Sequence, residues 1–124
     1  MIEYLNKEDK VHCRTLQKLL ASAFPQAYSE DAEEEVKRFL EEDRVALKAV
    51  INGELAGFVG AIPQYGHTGW ELHPLVVDEK HRGLGVGEKL VQALEKEIYL
   101  RGGITIYLGT DDEHSQTSLS DTDL

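Results

Sequence analysis

The chain has 124 residues, the length of one small domain with a core of its own. Its 23 acidic and 13 basic residues give a formal net charge of -10, which argues against nucleic acid or an anionic membrane as the main partner. No apolar stretch reaches membrane-spanning length and no signal peptide is recognisable, so we expect a cytoplasmic protein.

The N-terminal part of the chain predicts one strand and two helices. Residues 2–5 form the strand, and Asn6 is the predicted N-cap of the first helix. The apolar face of that helix is expected at Val11, Leu16, Leu19, Leu20 and Ala23. The single cysteine, Cys13, lies in this pattern and is read as a buried or half-buried thiol rather than a nucleophile. A second helix begins after Asp31, with Glu34 completing a capping arrangement; its acidic first turn is read as a solvated face, the alternative being attraction of a cationic substrate.

The central part predicts an antiparallel hairpin and a further strand. Residues 44–51 and 54–62 are rich in β-branched residues and are separated by an Asn-Gly pair, a strong two-residue hairpin signal. A loop rich in turn-forming residues, 63–68, leads to a strand over residues 70–77.

The C-terminal part predicts a helix and a last strand. The helix runs from about residue 84 to residue 100 and ends at a Gly-Gly pair. Its buried stripe is expected at Leu90, Val91, Leu94 and Ile98. Residues 104–108 predict a buried strand, which a crossover helix would place parallel to the strand at 70–77. With no repeat and no linker, we expect one α/β domain over residues 1–124, a mixed sheet with helices on its faces.

Three glycines at alternate positions stand where that helix begins: Gly83, Gly85 and Gly87. Glycine can take positive φ and lets a bound group approach the main chain, and a helix N-terminus offers unpaired N–H groups to a pyrophosphate. A plain turn explains the glycines equally well. The dinucleotide fingerprint fails because Glu88 stands where a small residue is required, and the phosphate-loop motif fails because Leu90 follows Lys89.

The segment Arg82-Gly83-Leu84-Gly85-Val86-Gly87 resembles the R/Q-x-x-G-x-G/A signature of the GNAT superfamily of acetyl-coenzyme A dependent N-acetyltransferases. Residues 61–66 (AIPQYG), 69–77 (GWELHPLVV) and 101–112 (RGGITIYLGTDD) are similar to the aminoglycoside 6'-N-acetyltransferases of that superfamily. The resemblance implies the first part of a GNAT fold, a mostly antiparallel sheet with a parallel, splayed central strand pair. The family continues with a further helix and two strands, so the chain would be a fragment or would be completed by another copy.

The resemblance implies acetyl-CoA as the cofactor. Its binding residues would be Leu75, Val76, Val77, Arg82, Gly83, Leu84, Gly85, Val86, Gly87 and Lys89. The backbone N–H of Leu75 would polarise the thioester carbonyl, a role typically worth about 10²–10³ in rate. Pro74 falls where the family's strands splay apart, although a proline in an edge strand would look the same.

Glu71 and His73 are expected on one face of their strand, opposite Trp70. A carboxylate beside a cofactor cleft can act as general base toward an amine, worth about 10²–10⁴ in rate. It can instead anchor the ammonium by a charge-assisted hydrogen bond. The resemblance places Glu71 in the catalytic position, while His73 would orient it, relay a proton or be a core histidine.

The substrate would be held by Trp70, Glu71, Tyr65, Asp111 and Asp112. The two aspartates follow the last strand at the edge where open α/β sheets usually bind ligands, although solvated turn residues would give the same pattern. The histidines show no metal-ligand spacing, so no metal is expected.

The resemblance implies transfer of acetyl from acetyl-CoA to the 6'-amine of an aminoglycoside by direct attack, which would confer antibiotic resistance. The partner would be a small polycationic amine, neither nucleic acid nor a membrane, and a homodimer is expected. Two alternatives stay open: an acetyltransferase for a polyamine or protein amine, and a non-catalytic GNAT-like interaction module.

Overall fold

A computed structural model of the chain describes residues 1–28, 32–64 and 68–108. The elements, in chain order, are β1 (Ile2–Tyr4), α1 (Lys10–Ala23), the short α2 (Pro25–Tyr28), α3 (Ala32–Phe39), β2 (Val45–Ile51), β3 (Glu54–Gln64), β4 (Gly69–Val77), α4 (Val86–Leu100) and β5 (Thr105–Leu108). A turn of 3-10 helix over Glu79–His81 leads from β4 toward α4. In these described ranges, no helix is long and apolar enough to cross a membrane.

The five strands form one mixed sheet in the order β1-β2-β3-β4-β5. All neighbours are antiparallel except β4 and β5, which pair in parallel across the crossover helix α4, as predicted. Asn52 and Gly53 have φ of 54° and 79°. Positive φ at both central residues is what a two-residue type I′ turn requires, so the predicted hairpin is confirmed.

One face of the sheet is packed by α4. The helix contributes Val86, Leu90, Leu94 and Ile98, all buried and spaced four residues apart, whereas the predicted Val91 is half-buried at the margin. The core they share with the strands contains Val45, Leu47, Ala49, Ala56, Val59, Ala61, Trp70 and Leu72. The N-terminus of α4 is thereby held rigidly against the sheet.

The opposite face is packed by α1 and α3. Its buried members include Leu16 and Leu20 of α1 and Val36 of α3, and the rings of Phe39 and Phe58 lie 5.5 Å apart. The prediction for α1 was wrong at its ends: Val11 is 71% exposed and Ala23 is exposed, since both lie in terminal turns of the helix that the sheet does not cover.

Two further predictions need correction. Asn6 is not the N-cap of α1; Asp9 holds that position, and the Asn6 N–H donates to the Asp9 carboxylate at 3.0 Å. The last strand is not buried, because β5 lies at the edge of the described sheet and Ile104, just before it, is 81% exposed. The capping arrangement proposed for Asp31 lies outside the described residues.

A buried ionic cluster lies beneath α1, and sequence patterns gave no sign of it. The Lys48 side chain is only 3% exposed; its Nζ lies 2.9 Å from Asp9 Oδ2, 2.9 Å from His12 Nδ1 and 3.4 Å from Glu3 Oε2. If Lys48 donates to Nδ1, the other ring nitrogen of His12 donates to the Gly53 carbonyl, 3.0 Å away. The Asn6 N–H, and then Lys48, hold the pKa of Asp9 below its ordinary value.

Candidate active site

The centre of β4 carries a β-bulge. Val59 pairs with Leu75 and Ala61 pairs with Leu72, so His73 and Pro74 together lie opposite the single residue Gly60. A bulge is one of the few places where a strand tolerates proline, because the extra residue needs no ladder partner. In the described sheet β4 is the fourth strand, and Pro74 lies in the bulge on its β3 side and beyond the last described β4–β5 pair on its other side.

The bulge decides which main-chain groups face which neighbour. The Asp78 N–H, just after β4, donates to the Ala56 carbonyl of β3 at 2.8 Å. Because ladder groups alternate in direction along a strand, Val76 also faces β3, whereas the N–H groups of Leu75 and Val77 face the side on which β5 lies. The described β4–β5 ladder ends with Leu72 paired to Leu108, so Leu75 and Val77 lie beyond its described end.

The side chains of β4 divide between the two faces as the alternation predicts. Trp70 and Leu72 belong to the α4 core, and Glu71 lies on the opposite face, half-buried. The Glu71 carboxylate lies 3.4 Å from the side-chain nitrogen of Gln64, the last residue of β3. The bulge shifts this alternation by one residue, so that after it the odd-numbered residues face α4, and Leu75 packs against the α4 core.

Trp70 does not share the environment of Glu71. Its side chain is 1% exposed, and the Arg101 guanidinium lies 6.0 Å from its ring centroid. The structure therefore separates two residues that the sequence grouped as substrate contacts. The other three of that group, Tyr65, Asp111 and Asp112, lie outside the described residues.

The glycine loop takes the conformation that glycine permits at two of its three positions. Gly83 and Gly85 have φ of 83° and 76°, and a Cβ built on either would meet nothing within 4 Å. Glycine is therefore favoured there by backbone conformation and not by crowding. Gly87 does not have positive φ, because it lies in the first turn of α4. The helix begins at Val86, later than the predicted Leu84, which is 59% exposed.

The start of α4 adjoins the end of β4. A Cβ at Gly87 would lie 3.6 Å from Val77 Cγ2, an ordinary contact between the two elements. The first intrahelical hydrogen bond runs from Lys89 N–H to the Gly85 carbonyl at 3.0 Å. The N–H groups of residues 86–88 therefore precede the helical ladder and lie at its positive end.

The glycine loop is basic, and one of its cations is already engaged. Lys80 Nζ lies 3.2 Å from Glu54 Oε1 across the sheet end, and the Lys80 N–H lies 3.4 Å from the Asp78 carboxylate that accepts it. Arg82 and Lys89 are exposed, and neither forms an ion pair with an acidic residue in the described ranges. These two cations lie on either side of the N-terminus of α4 in the chain.

Sequence reasoning missed two residues that shape the site. Gly57 of β3 lets α4 approach, since a Cβ there would lie 3.0 Å from the Val76 carbonyl oxygen and 3.1 Å from side-chain atoms of Leu90 and Val86. Gln64 contacts Glu71 across the sheet. Both depend on strand register. Gly57 lay in a predicted hairpin strand, whereas Gln64 lay in the predicted loop 63–68, and that prediction was wrong at its start because β3 continues to Gln64. Within the part of the chain that is described, no group of three His, Cys, Asp or Glu side chains is arranged to hold a metal ion.

Comparison with known proteins gives consistent matches. The sequence model of the acetyltransferase (GNAT) family matches residues 13–119. A solved aminoglycoside 6'-N-acetyltransferase complexed with coenzyme A is 48% identical, with a TM-score of 0.85 over 89% of this chain and 61% of that one. The aminoglycoside 6'-N-acetyltransferase from Enterococcus faecium is 47% identical, with a TM-score of 0.82 over 87% of this chain and 60% of that one.

A third structure, an aminoglycoside 6'-acetyltransferase type Ii, is 49% identical, with a TM-score of 0.83 over 90% of this chain and 72% of that one. The chain spans 61% and 60% of the first two relatives. No curated protein matches it.

Proposed function

The chain belongs to the acetyltransferase (GNAT) family, and we propose that it transfers an acetyl group from acetyl-CoA to the 6'-amine of an aminoglycoside. The observation that carries the proposal is the junction of β4 and α4. There, a bulged strand, a positive helix end and two cations adjoin one another, and a half-buried carboxylate lies four residues before Leu75 on the same strand. The identity of about 48% to named 6'-N-acetyltransferases supports the choice of substrate.

The residues present fit coenzyme A. Gly83 and Gly85 leave the main chain open to a ligand, and the N–H groups at the start of α4 would hold phosphate oxygens. Arg82 and Lys89 would add positive charge beside them. Bound acetyl-CoA would supply the activated acetyl thioester.

The strand end would hold the pantetheine part. Leu75 and Val77 have main-chain groups on the side of β5, where an extended ligand could pair with them. Val76 pairs with Phe58, so its main-chain groups face β3 and not the ligand. Its contribution to the cofactor site would therefore come from the packing of its side chain. The Leu75 N–H would donate to the thioester carbonyl, where charge develops during acyl transfer.

Glu71 would act on the amine. Its half-buried carboxylate would bind the substrate ammonium or accept its proton, because an amine must lose a proton before its nitrogen can attack. His73 lies two residues further on the same strand face and would orient Glu71 or relay that proton. The net charge of -10 supports a polycationic substrate.

The proposal extends to antibiotic resistance, cellular location and oligomeric state. Acetylation of a drug's 6'-amine would confer resistance to it. A cytoplasmic location fits the single cysteine, and a homodimer is proposed as the assembly. Light scattering on the purified chain tests the dimer.

Calorimetric titration of acetyl-CoA into the 124-residue chain is the deciding experiment. We expect saturable binding by the parent, and its loss in the double variant R82A/G85A. Lys80→Ala is the matched control, because Lys80 is a nearby basic residue in the 3-10 turn and is paired with Glu54, so the affinity of that variant should stay near that of the parent. Acetylation of kanamycin against that of spermidine then separates the two classes of amine.

Failure of a folded parent to bind acetyl-CoA would overturn the proposal for this chain. Equal loss on Lys80→Ala and R82A/G85A would show that affinity reflects overall charge and not the glycine loop.

A further inference from the structure

The contact between Gln64 and Glu71 joins the ends of two strands. Gln64 closes β3 and pairs directly with Gly69, while Glu71 pairs directly with Ile62. Gln64 and Glu71 are therefore diagonal neighbours on one face, a distance that long side chains can span. Gly69 has no side chain, so the Gln64 amide can lie along the sheet toward Glu71, and Nε2 comes within 3.4 Å of Oε1.

The contact joins a neutral amide, that of Gln64, to the carboxylate of Glu71. A carboxylate can only accept, so the amide presents its NH₂ group and not its oxygen. A neutral amide orients a carboxylate while leaving its negative charge in place, whereas a lysine or arginine would neutralise it. Among the described basic residues, none forms an ion pair with Glu71. Within the described residues, no lysine or arginine therefore competes with a cationic ligand for this carboxylate.

We propose that Gln64 is a positioning residue for Glu71: its amide holds one carboxylate oxygen and directs the other toward the substrate ammonium. This inference deepens the proposed function and rests on it for the identity of the amine. The distance of 3.4 Å is at the long end of the hydrogen-bond range. We therefore expect the loss of this bond to cost a free energy at the lower end of the range for hydrogen bonds to charged groups.

The test is a double-mutant cycle on amine recognition. Gln64→Leu removes the donor at similar volume, and we expect it to lower kcat/KM for kanamycin about tenfold. Acetyl-CoA affinity should stay unchanged, because Gln64 lies on the face opposite the α4 core. In a Glu71→Ala background, where no side-chain oxygen is left to accept from the Gln64 amide, the same substitution should change kcat/KM less than about twofold, since the two residues act as one unit.

The role of Gln64 and the proposed acetyl transfer can fail independently, and the experiment distinguishes the two failures. A loss of the same size in both backgrounds, or no loss in either, would overturn the role of Gln64 while leaving acetyl transfer intact. If the chain shows no turnover, the cycle is read from the calorimetric Kd of kanamycin. If no amine binds, the side-chain amide resonances of Gln64 decide, because they must shift on Glu71→Ala, and their constancy would overturn the contact itself.

Gln64→Asn guards against misfolding of the first variant. It keeps an amide but is one methylene shorter, so it cannot reach Glu71 and should reproduce the loss. Wild-type behaviour of Gln64→Asn would show that any polar residue suffices and would refute a positioning role.

Discussion

The two faces of the sheet are built on different principles. The α4 face is apolar along its whole length, from Val86 to Ile98. The face under α1 and α3 combines an apolar cluster with a buried lysine and, at its far end, the half-buried Glu71. The buried Lys48 and the half-buried Glu71 both lie on the second face, where each has a hydrogen-bonding partner, whereas the cation at the first face, Arg101, is exposed and lies over the Trp70 ring.

The largest effect should come from the apolar face. Leu94 is fully buried, so Leu94→Ala removes packed atoms and leaves a cavity, and we expect the free energy of unfolding to fall by about 2–5 kcal/mol. Leu100→Ala on the same helix is the control, because that side chain is 70% exposed and its loss should cost at most about 0.5 kcal/mol. Urea unfolding measures both, and similar losses would refute the assignment of Leu94 to a packed core and Leu100 to the surface.

The polar face should respond next to loss of its buried cation. Lys48→Met removes the lysine from Asp9 and His12 and leaves Asp9 with the Asn6 N–H as a donor, and we expect a loss of about 1–3 kcal/mol in unfolding free energy. The effect should be smaller than that of Leu94→Ala because Asp9 remains 30% exposed and can regain water. Lys37→Met, at an exposed pair on α3, should cost less than about 0.5 kcal/mol. An increase in the unfolding free energy of Lys48→Met would show that burying these charges costs more free energy than their mutual interactions provide.

Alanine substitutions at two glycines near the start of α4 should change the stability of the protein in opposite directions. Gly85→Ala forces a side chain into left-handed backbone and should destabilise the protein by about 1 kcal/mol. Gly87→Ala lies in helical backbone with room for a methyl group, and should stabilise by about 0.5 kcal/mol. Thermal unfolding of the two variants distinguishes them. Equal effects would show that space and not backbone conformation decides both positions.

The smallest expected effect is a pH dependence on the polar face. The pKa of Asp9 is lowered in the folded state, so its contribution to stability is complete above the ordinary value of 3.8 and is lost as the pH falls through the lower, folded-state pKa. Asp9→Asn should therefore unfold with a shallower dependence on pH in acid. The difference between parent and variant should shrink in a Lys48→Met background without vanishing, because the Asn6 N–H is the larger cause. A difference that grows with rising pH above neutrality would contradict this assignment.

The predictability of the two faces differed for a physical reason. The α4 stripe and the Asn52-Gly53 hairpin were predicted because helical periodicity and turn chemistry are local properties of the chain. The bulge at His73 and Pro74 was not, because it depends on the register between β3 and β4. Sequence alternation placed Glu71 on the face opposite Trp70, and the structure confirms it. The contact of Glu71 with Gln64 joins residues whose proximity only strand pairing creates.

The sequence by itself determined the order of elements, the parallel last strand pair, the glycine loop and the family resemblance, since each is written in a local pattern. Tertiary structure alone decided that Lys48 is buried, that Gly57 makes room for α4, and that the main chain of Leu75 faces the side of β5. These features arise where segments distant in the chain come into contact. They are set by packing and by strand register, which no single stretch of residues encodes.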